Sequence, residues 1–184
     1  IVIGSASGIG KELVKIILNK RKEVLISLDK QNCQLKKNTN LRHIQIDISN
    51  STIFEKTLKE VLLDFDEVDI YFTAGLHNTF SASEEDANNL SFNQFLTNYI
   101  PHTSLVKILL KLKIKCNIII ACSLSSVLGL PFQQSYSASK AATQYFYESI
   151  SFELSKNYSR AFIVRLGSVS TGFNSLGNII PSKK

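Results

Sequence analysis

Methionine is absent from all 184 residues, and cysteine and proline occur only three times each. The chain opens inside a strand-like Ile1-Val-Ile with no initiator methionine, as expected of a piece of a longer chain. Cys33, Cys116 and Cys122 are scattered, with no metal-ligand spacing, so reduced thiols are expected and neither a disulfide framework nor a metal site is. No apolar stretch reaches the roughly 20 residues of a membrane helix, and no signal peptide is visible. The expected location is therefore cytoplasmic, with no membrane partner. Basic residues exceed acidic ones, 21 to 15. They are spread over helix faces and loops, as in Lys20-Arg-Lys22 and Lys107 to Lys115, and are not clustered with aromatics. That distribution argues against a nucleic-acid partner. Repeats, linkers and low-complexity tracts are also missing. An apolar content of 44% over residues 1–184 fits one ordinary globular domain.

What is present is an alternation of short apolar runs with helical periodicity. Strands are expected near 1–3, 23–28, 41–47, 68–72, 117–122 and 161–166, and helices near 8–20, 51–65, 90–113 and 136–157. In the second helix Ile53, Phe54, Leu58, Val61 and Leu62 trace an apolar stripe, and Thr52-Ile-Phe-Glu55 has the form of a capping box. Alternation of strand and helix along the chain predicts an α/β fold. Its form is a Rossmann-type, doubly wound parallel sheet in three α/β/α layers.

Three groups of residues carry chemistry. Gly4-Ser-Ala-Ser-Gly8-Ile-Gly10 joins the first strand to the first helix. Glycines there let the backbone approach a pyrophosphate, and the free N–H groups and dipole of the helix start favour the anion. Asp29 ends the second strand, nineteen positions past Gly10, where a carboxylate can accept from ribose hydroxyls and repel a 2′-phosphate. Such a turn can also be a plain strand-to-helix connection, and such an aspartate a turn cap. Finally, Tyr136 and Lys140 stand four apart, one turn along a helix face. An ammonium beside a phenol favours the phenolate, so a lowered tyrosine pKa is expected. Ser123 falls where the buried run Asn117 to Cys122 releases the chain, at the carboxyl end where active residues of open sheets gather.

With these motifs in this order, the chain resembles the short-chain dehydrogenase/reductase family from Gly4 to about Thr171. The resemblance makes Gly4, Ser7, Gly8, Ile9 and Gly10 the phosphate turn, and Asp47-Ile48 the adenine contact. Thr73-Ala74-Gly75 stands for the family's Asn-Ala-Gly, with Ala74 and Gly75 at the cofactor. It makes Asn98, Ser123, Tyr136 and Lys140 a catalytic tetrad, with Asn98 holding a water that links Lys140 to solvent. Gly129 and Pro131 support Ser123 over Ser125 or Ser126 as the serine. Gly167, Val169 and Thr171 would contact the nicotinamide carboxamide. Ile3, Thr73 and Leu166 depart from the family's threonine, asparagine and proline. None of the three removes a catalytic group, but Leu166 bears on the shape of the loop after it.

The resemblance implies hydride transfer between a secondary alcohol or ketone and a nicotinamide cofactor, with NAD favoured by Asp29 and NADP possible beside Lys30. It implies a small-molecule substrate, and Gln133 and Gln134 hint at a polar one. It also implies a homodimer or homotetramer, formed through helices that carry Phe92, Phe95, Tyr99, Tyr145 and Phe152. The family's substrate-covering region beyond Thr171 is largely missing. Two alternatives are an NADPH-dependent 3-oxoacyl carrier-protein reductase and a dinucleotide-binding regulator without turnover.

Overall fold

The computed structural model describes residues 1–21, 23–32 and 39–171. Cys33, Lys22 and the stretch after Thr171 lie outside the described residues. The elements are β1 (Val2–Ile3), α1 (Gly8–Lys20), β2 (Leu25–Asp29), β3 (Leu41–Gln45), α2 (Ser51–Leu62) and β4 (Glu67–Phe72). They continue with α3 (Ala87–Asn98), α4 (Ile100–Leu112), β5 (Lys115–Ser123), α5 (Gln134–Lys156) and β6 (Arg160–Leu166). The six strands form one parallel sheet in the order β3-β2-β1-β4-β5-β6. The order reverses between β1 and β4, and open α/β sheets hold their ligands at such a switch point.

The core follows from the apolar runs. Ile3, Leu28, Ile70, Phe72, Ile118 and Ile120 meet the stripes of α2 (Phe54, Leu58, Val61, Leu62) and α4 (Leu105, Ile108, Leu109) in one buried cluster. A second cluster joins Val2, Val14 and Leu25, with Ile17 and Leu18 of α1 packed on it. Among the described residues, no helix is long and apolar enough to cross a membrane. Cys116 and Cys122 are buried free thiols.

Two sequence expectations need correction. The single helix expected over 90–113 is two helices, interrupted at Tyr99 with φ −123° and ψ −53°. Pro101 opens α4, where its missing N–H costs nothing, and its ring disfavours a continuous helix through the residue before it. The Tyr99 N–H closes α3 on the Phe95 carbonyl, and the Tyr99 carbonyl accepts from the His102 N–H, both at 3.0 Å. The capping box at Thr52 and Glu55 does not form. The helix begins at Ser51, so Asn50 is the cap, its side chain accepting from the Ile53 N–H at 3.2 Å. Glu55 instead turns to Ser104 and Lys107 on α4. Two boundaries bear on function. β5 pairs with β6 as far as Ser123, opposite Leu166, so Ser123 stands at the strand's carboxyl end. α5 starts at Gln134 and places Tyr136 in its first turn.

Candidate active site

The glycine turn is held on three sides. Gly4 has φ +88°, and a Cβ there would lie 2.4 Å from the Ala74 nitrogen, so β1 leaves the sheet directly against the loop after β4. The Thr73 hydroxyl shares its proton between the carbonyls of Ile3 (2.9 Å) and Gly4 (3.0 Å), bracing β1 against β4 in place of the family's asparagine. The Ala6 N–H donates to Asp29 Oδ2 at 2.9 Å, and the Gln31 N–H donates to Oδ1 at 2.8 Å. Asp29 therefore caps the turn and lines the cavity as well. At Gly8 (φ +49°) a Cβ would meet Thr171 at 3.2 Å, which brings the segment after β6 down over the turn.

Asp47 pairs with the Lys30 ammonium at 2.7 Å and accepts from the backbone and hydroxyl of Ser49. Burial works to raise its pKa, but the bonds from Lys30 and Ser49 outweigh that and hold the carboxyl below its ordinary value. The ion pair occupies Lys30, the charge that had weighed against NAD.

Ser123 and Tyr136 are hydrogen-bonded to each other. Ser123 Oγ also accepts from the Ser125 N–H at 3.1 Å, within a 3-10 turn over Leu124–Ser126. Lys140 is buried, with its ammonium 3.3 Å from the Ala121 carbonyl and 5.9 Å from the centre of the Tyr136 ring. The expected fall in the tyrosine pKa is not found. Burial raises it, and the Ser123 bond opposes that only in part. Burial also lowers the pKa of Lys140, and its ammonium is directed at a carbonyl, not at the phenol oxygen. Desolvation thus wins over charge proximity at this site.

Asn98 sits behind these groups. Its Oδ1 accepts from the Leu76 N–H (2.7 Å), and its Nδ2 donates to the Leu76 carbonyl (2.8 Å) and to Ser139 Oγ (3.0 Å). Its own carbonyl accepts from the Thr143 hydroxyl at 2.8 Å. The side chain staples the loop after β4 to α5, a bracing position. A cavity of about 1330 Å³ runs from Asp29 and Asp47 past the glycine turn to Tyr136 and Gln133. Every residue named from the sequence as catalytic or cofactor-binding lines it except Asn98 and Gly10. Gly10 lies beneath the turn, where a Cβ would be 1.9 Å from the Gly4 carbonyl oxygen.

Sequence reasoning missed His77. Its ring stands edge-on to Tyr136 with centroids 4.6 Å apart, and burial lowers its pKa while Gln133 opposes. The only signal was its place two residues past Gly75, in a loop that leaves a strand's carboxyl end. His102 was missed as well. It is fully buried, stacked on Phe72 at 3.8 Å, with Nδ1 3.0 Å from the Tyr147 hydroxyl. Burial, with Lys140 adding to it, holds its pKa well below the ordinary value.

An unfolded chain therefore binds a proton at this position that the fold excludes, and stability falls as pH drops below the ordinary histidine value of about 6.5. The urea midpoint is expected to be lower at about pH 5.5 than at about pH 7, with a smaller drop in His102→Asn. An equal drop in both proteins would assign the acid sensitivity elsewhere.

The family described as short chain dehydrogenase matches residues 1–178. The chain belongs to that family. It is 23% identical to 3-ketodihydrosphingosine reductase of Bacteroides thetaiotaomicron, over 97% of this chain and 66% of that protein. A short chain dehydrogenase from Burkholderia cenocepacia, solved with NADP, superposes with a TM-score of 0.84 at 21% identity, covering 100% of this chain and 76% of that one. A 4-hydroxyisoleucine dehydrogenase solved with NADH gives 0.80 at 24%, covering 92% and 76%. At such identities the structural likeness establishes the fold. The chain spans about three fifths to two thirds of the length of the curated relatives it matches.

Proposed function

We propose that the chain is the nucleotide-binding and catalytic part of an NAD(P)-dependent oxidoreductase acting on a secondary alcohol or ketone. The observation that carries this reading is the meeting of Ser123, Tyr136 and Lys140 in the cavity that the glycine turn also lines. The residues fit a dinucleotide. Gly4 and Gly8 have positive φ, a Cβ at Gly4 would stand 2.4 Å from the Ala74 nitrogen, the α1 N-terminus opens from that turn, and Asp29 lines the same cavity. When bound, the nicotinamide supplies or accepts the hydride. Tyr136 exchanges a proton with the substrate oxygen, and Ser123 holds that oxygen by a second hydrogen bond. Lys140, whose long side chain reaches the same cavity, binds the nicotinamide ribose, and its ammonium stands 5.9 Å from the centre of the Tyr136 ring. The test is a screen of secondary alcohols, sugars, hydroxysteroids and 3-oxoacyl thioesters followed by NADH or NADPH absorbance. Binding of the dinucleotide with no turnover across that set would favour the regulator reading.

For cofactor choice we favour NAD, because the Asp29 carboxylate repels a 2′-phosphate and Lys30 is paired with Asp47. NADH is expected to bind more tightly than NADPH, and Asp29→Ala to narrow the gap. Because Asp29 also caps the turn through Ala6, the same variant is expected to weaken NADH binding outright. Equal affinities for the two dinucleotides in the unmodified protein, by fluorescence titration, would remove the assignment.

For assembly we favour a homodimer or homotetramer. Phe92 of α3 and Tyr145 and Phe152 of α5 are each more than 60% exposed, whereas Phe95 and Tyr99 pack edge-on within the fold. Three exposed aromatics on adjacent helices suit a symmetric interface. Light scattering at micromolar concentration is expected to give a mass at least twice that of one chain, and a monomer would reject the interface.

A further inference from the structure

Gln144 lies one turn beyond Lys140 on α5 and is 5% exposed. Its Oε1 accepts two hydrogen bonds, from the Ser126 hydroxyl at 2.7 Å and from Arg165 Nε at 3.0 Å. Its Nε2 donates to Glu148 Oε1 at 2.9 Å, and Arg165 Nη2 stands 3.8 Å from that same oxygen. The orientation of the amide is fixed by chemistry, since guanidinium only donates and carboxylate only accepts. One side chain therefore ties three segments of the site. Ser126 ends the 3-10 turn that begins right after Ser123, α5 carries Tyr136 and Lys140, and Arg165 is the last residue but one of β6, which feeds Gly167 to Thr171. The row Tyr136, Lys140, Gln144, Glu148 runs along one helix face at intervals of four, and its outer half secures what its inner half needs in register.

We propose that Gln144 is a positioning residue for the reaction, clamping the Ser123 turn and the end of β6 to the catalytic face of α5. The proposal rests on the oxidoreductase reading given above. Ser123 ends β5 in register with Leu166, and the turn's Ser125 N–H orients its Oγ. Beside the Ser123–Tyr136 bond itself, the Ser126–Gln144 pair is the side-chain hydrogen bond that joins that turn to α5 among the described residues. Releasing it leaves the buried Ser126 hydroxyl without its acceptor, frees the exposed Arg165 side chain, and lets the turn whose Ser125 N–H orients Ser123 Oγ shift relative to the phenol.

The test reads Tyr136 itself, so it needs no substrate. The protein is labelled with 3-fluorotyrosine, a more acidic phenol that brings the titration into a range the fold survives. The Tyr136 fluorine resonance is assigned by its loss in Tyr136→Phe. His77, Cys122, Lys140 and Ser123 face this ring from the elements around it, and none is altered in the variants. In Gln144→Leu the Tyr136 resonance is expected to move and its titration midpoint to rise by roughly half a unit or more, the worth of one neutral hydrogen bond. Gln144→Glu alone sets two carboxylates side by side at Glu148 and is expected to show the same change. Combining it with Glu148→Gln keeps an acceptor for Ser126 and Arg165 and a donor between helix turns, so the double variant is expected to restore the wild-type midpoint. A thermal midpoint that falls in Gln144→Leu while Tyr136 titrates unchanged would overturn the proposal and leave Gln144 a packing residue. A double variant that fails to restore the midpoint, though folded, would overturn it too. Failure of the oxidoreductase reading shows separately, as dinucleotide binding with no turnover of the unmodified protein across the substrate screen.

Discussion

Turnover in Tyr136→Phe is expected to fall by about 10² to 10⁴, the range for loss of a general acid/base. The substitution removes one hydroxyl. The ring keeps its edge-on contact with His77 at 4.6 Å, so packing gives no competing account of the loss. NADH affinity is expected to change little, because the glycine turn and Asp29 are untouched. Lys140→Ala is expected to lower turnover and cofactor affinity together, since that side chain is placed to serve both. The buried phenol of the free protein begins above its ordinary pKa, so in the oxidation direction kcat/KM is expected to rise with pH and to be still rising toward the ordinary tyrosine value of about 10. A Tyr136→Phe protein with undiminished turnover on a confirmed substrate would remove Tyr136 from the mechanism. His77, the other titratable ring at that wall, would then be the next residue to test.

The largest loss of stability is expected from a single added methyl group, in Gly10→Ala. Helix propensity favours alanine over glycine by about 1 kcal/mol. The contact overrides that preference. A Cβ at this position would stand 1.9 Å from the Gly4 carbonyl oxygen and 2.5 Å from Thr73 Oγ1. The first of these is backbone in a turn that three hydrogen bonds already fix, so it has nowhere to go. Overpacking costs about 1–3 kcal/mol where neighbours can give, and more is expected here. Gly8→Ala is the control. Its Cβ would meet only the Thr171 side chain at 3.2 Å, and the main cost is a left-handed backbone for a non-glycine residue, about 1–2 kcal/mol. Urea midpoints are expected to fall further for Gly10→Ala than for Gly8→Ala. The reverse order would mean that α1 shifts to relieve the contact.

Much of this could be read from the chain because short-range geometry decides it. The apolar runs from Ile1, Glu23 and Asn117 could be little other than buried strands. The glycine turn opens a helix wherever it follows such a strand, and the Tyr136–Lys140 spacing fixes a shared helix face whatever surrounds it. What could not be read depends on partners distant in sequence. Glu55 has the spacing of a cap, but Ser104 and Lys107 on another helix claim it. The break at Tyr99 needed the weight of Pro101 against a continuous apolar pattern, and the pattern misled. Asp29 was offered as a ribose ligand or a turn cap, and its two oxygens let it line the cavity while capping. The ionisation of Tyr136 was misjudged because sequence spacing shows the nearby cation and not the depth of burial. His77 meets the Tyr136 ring from far along the chain, and Gln144 meets Ser126 and Arg165 at separations of 18 and 21, so no local pattern marks either.

The pinning of the glycine turn also fixes where its disorder is lost. Holding one residue's backbone in a single conformation costs about 1–2 kcal/mol of conformational entropy. In the stretch from Gly4 to Gly10 that cost is met as the protein folds, through the Thr73 and Asp29 hydrogen bonds and the Ala74 contact. A dinucleotide arriving there finds the amides already aligned and has no loop to order. Changes beneath the turn will therefore register in how well the protein stays folded, while changes at the cavity wall register in how tightly the ligand is held. The two kinds of defect separate along the depth of a single loop.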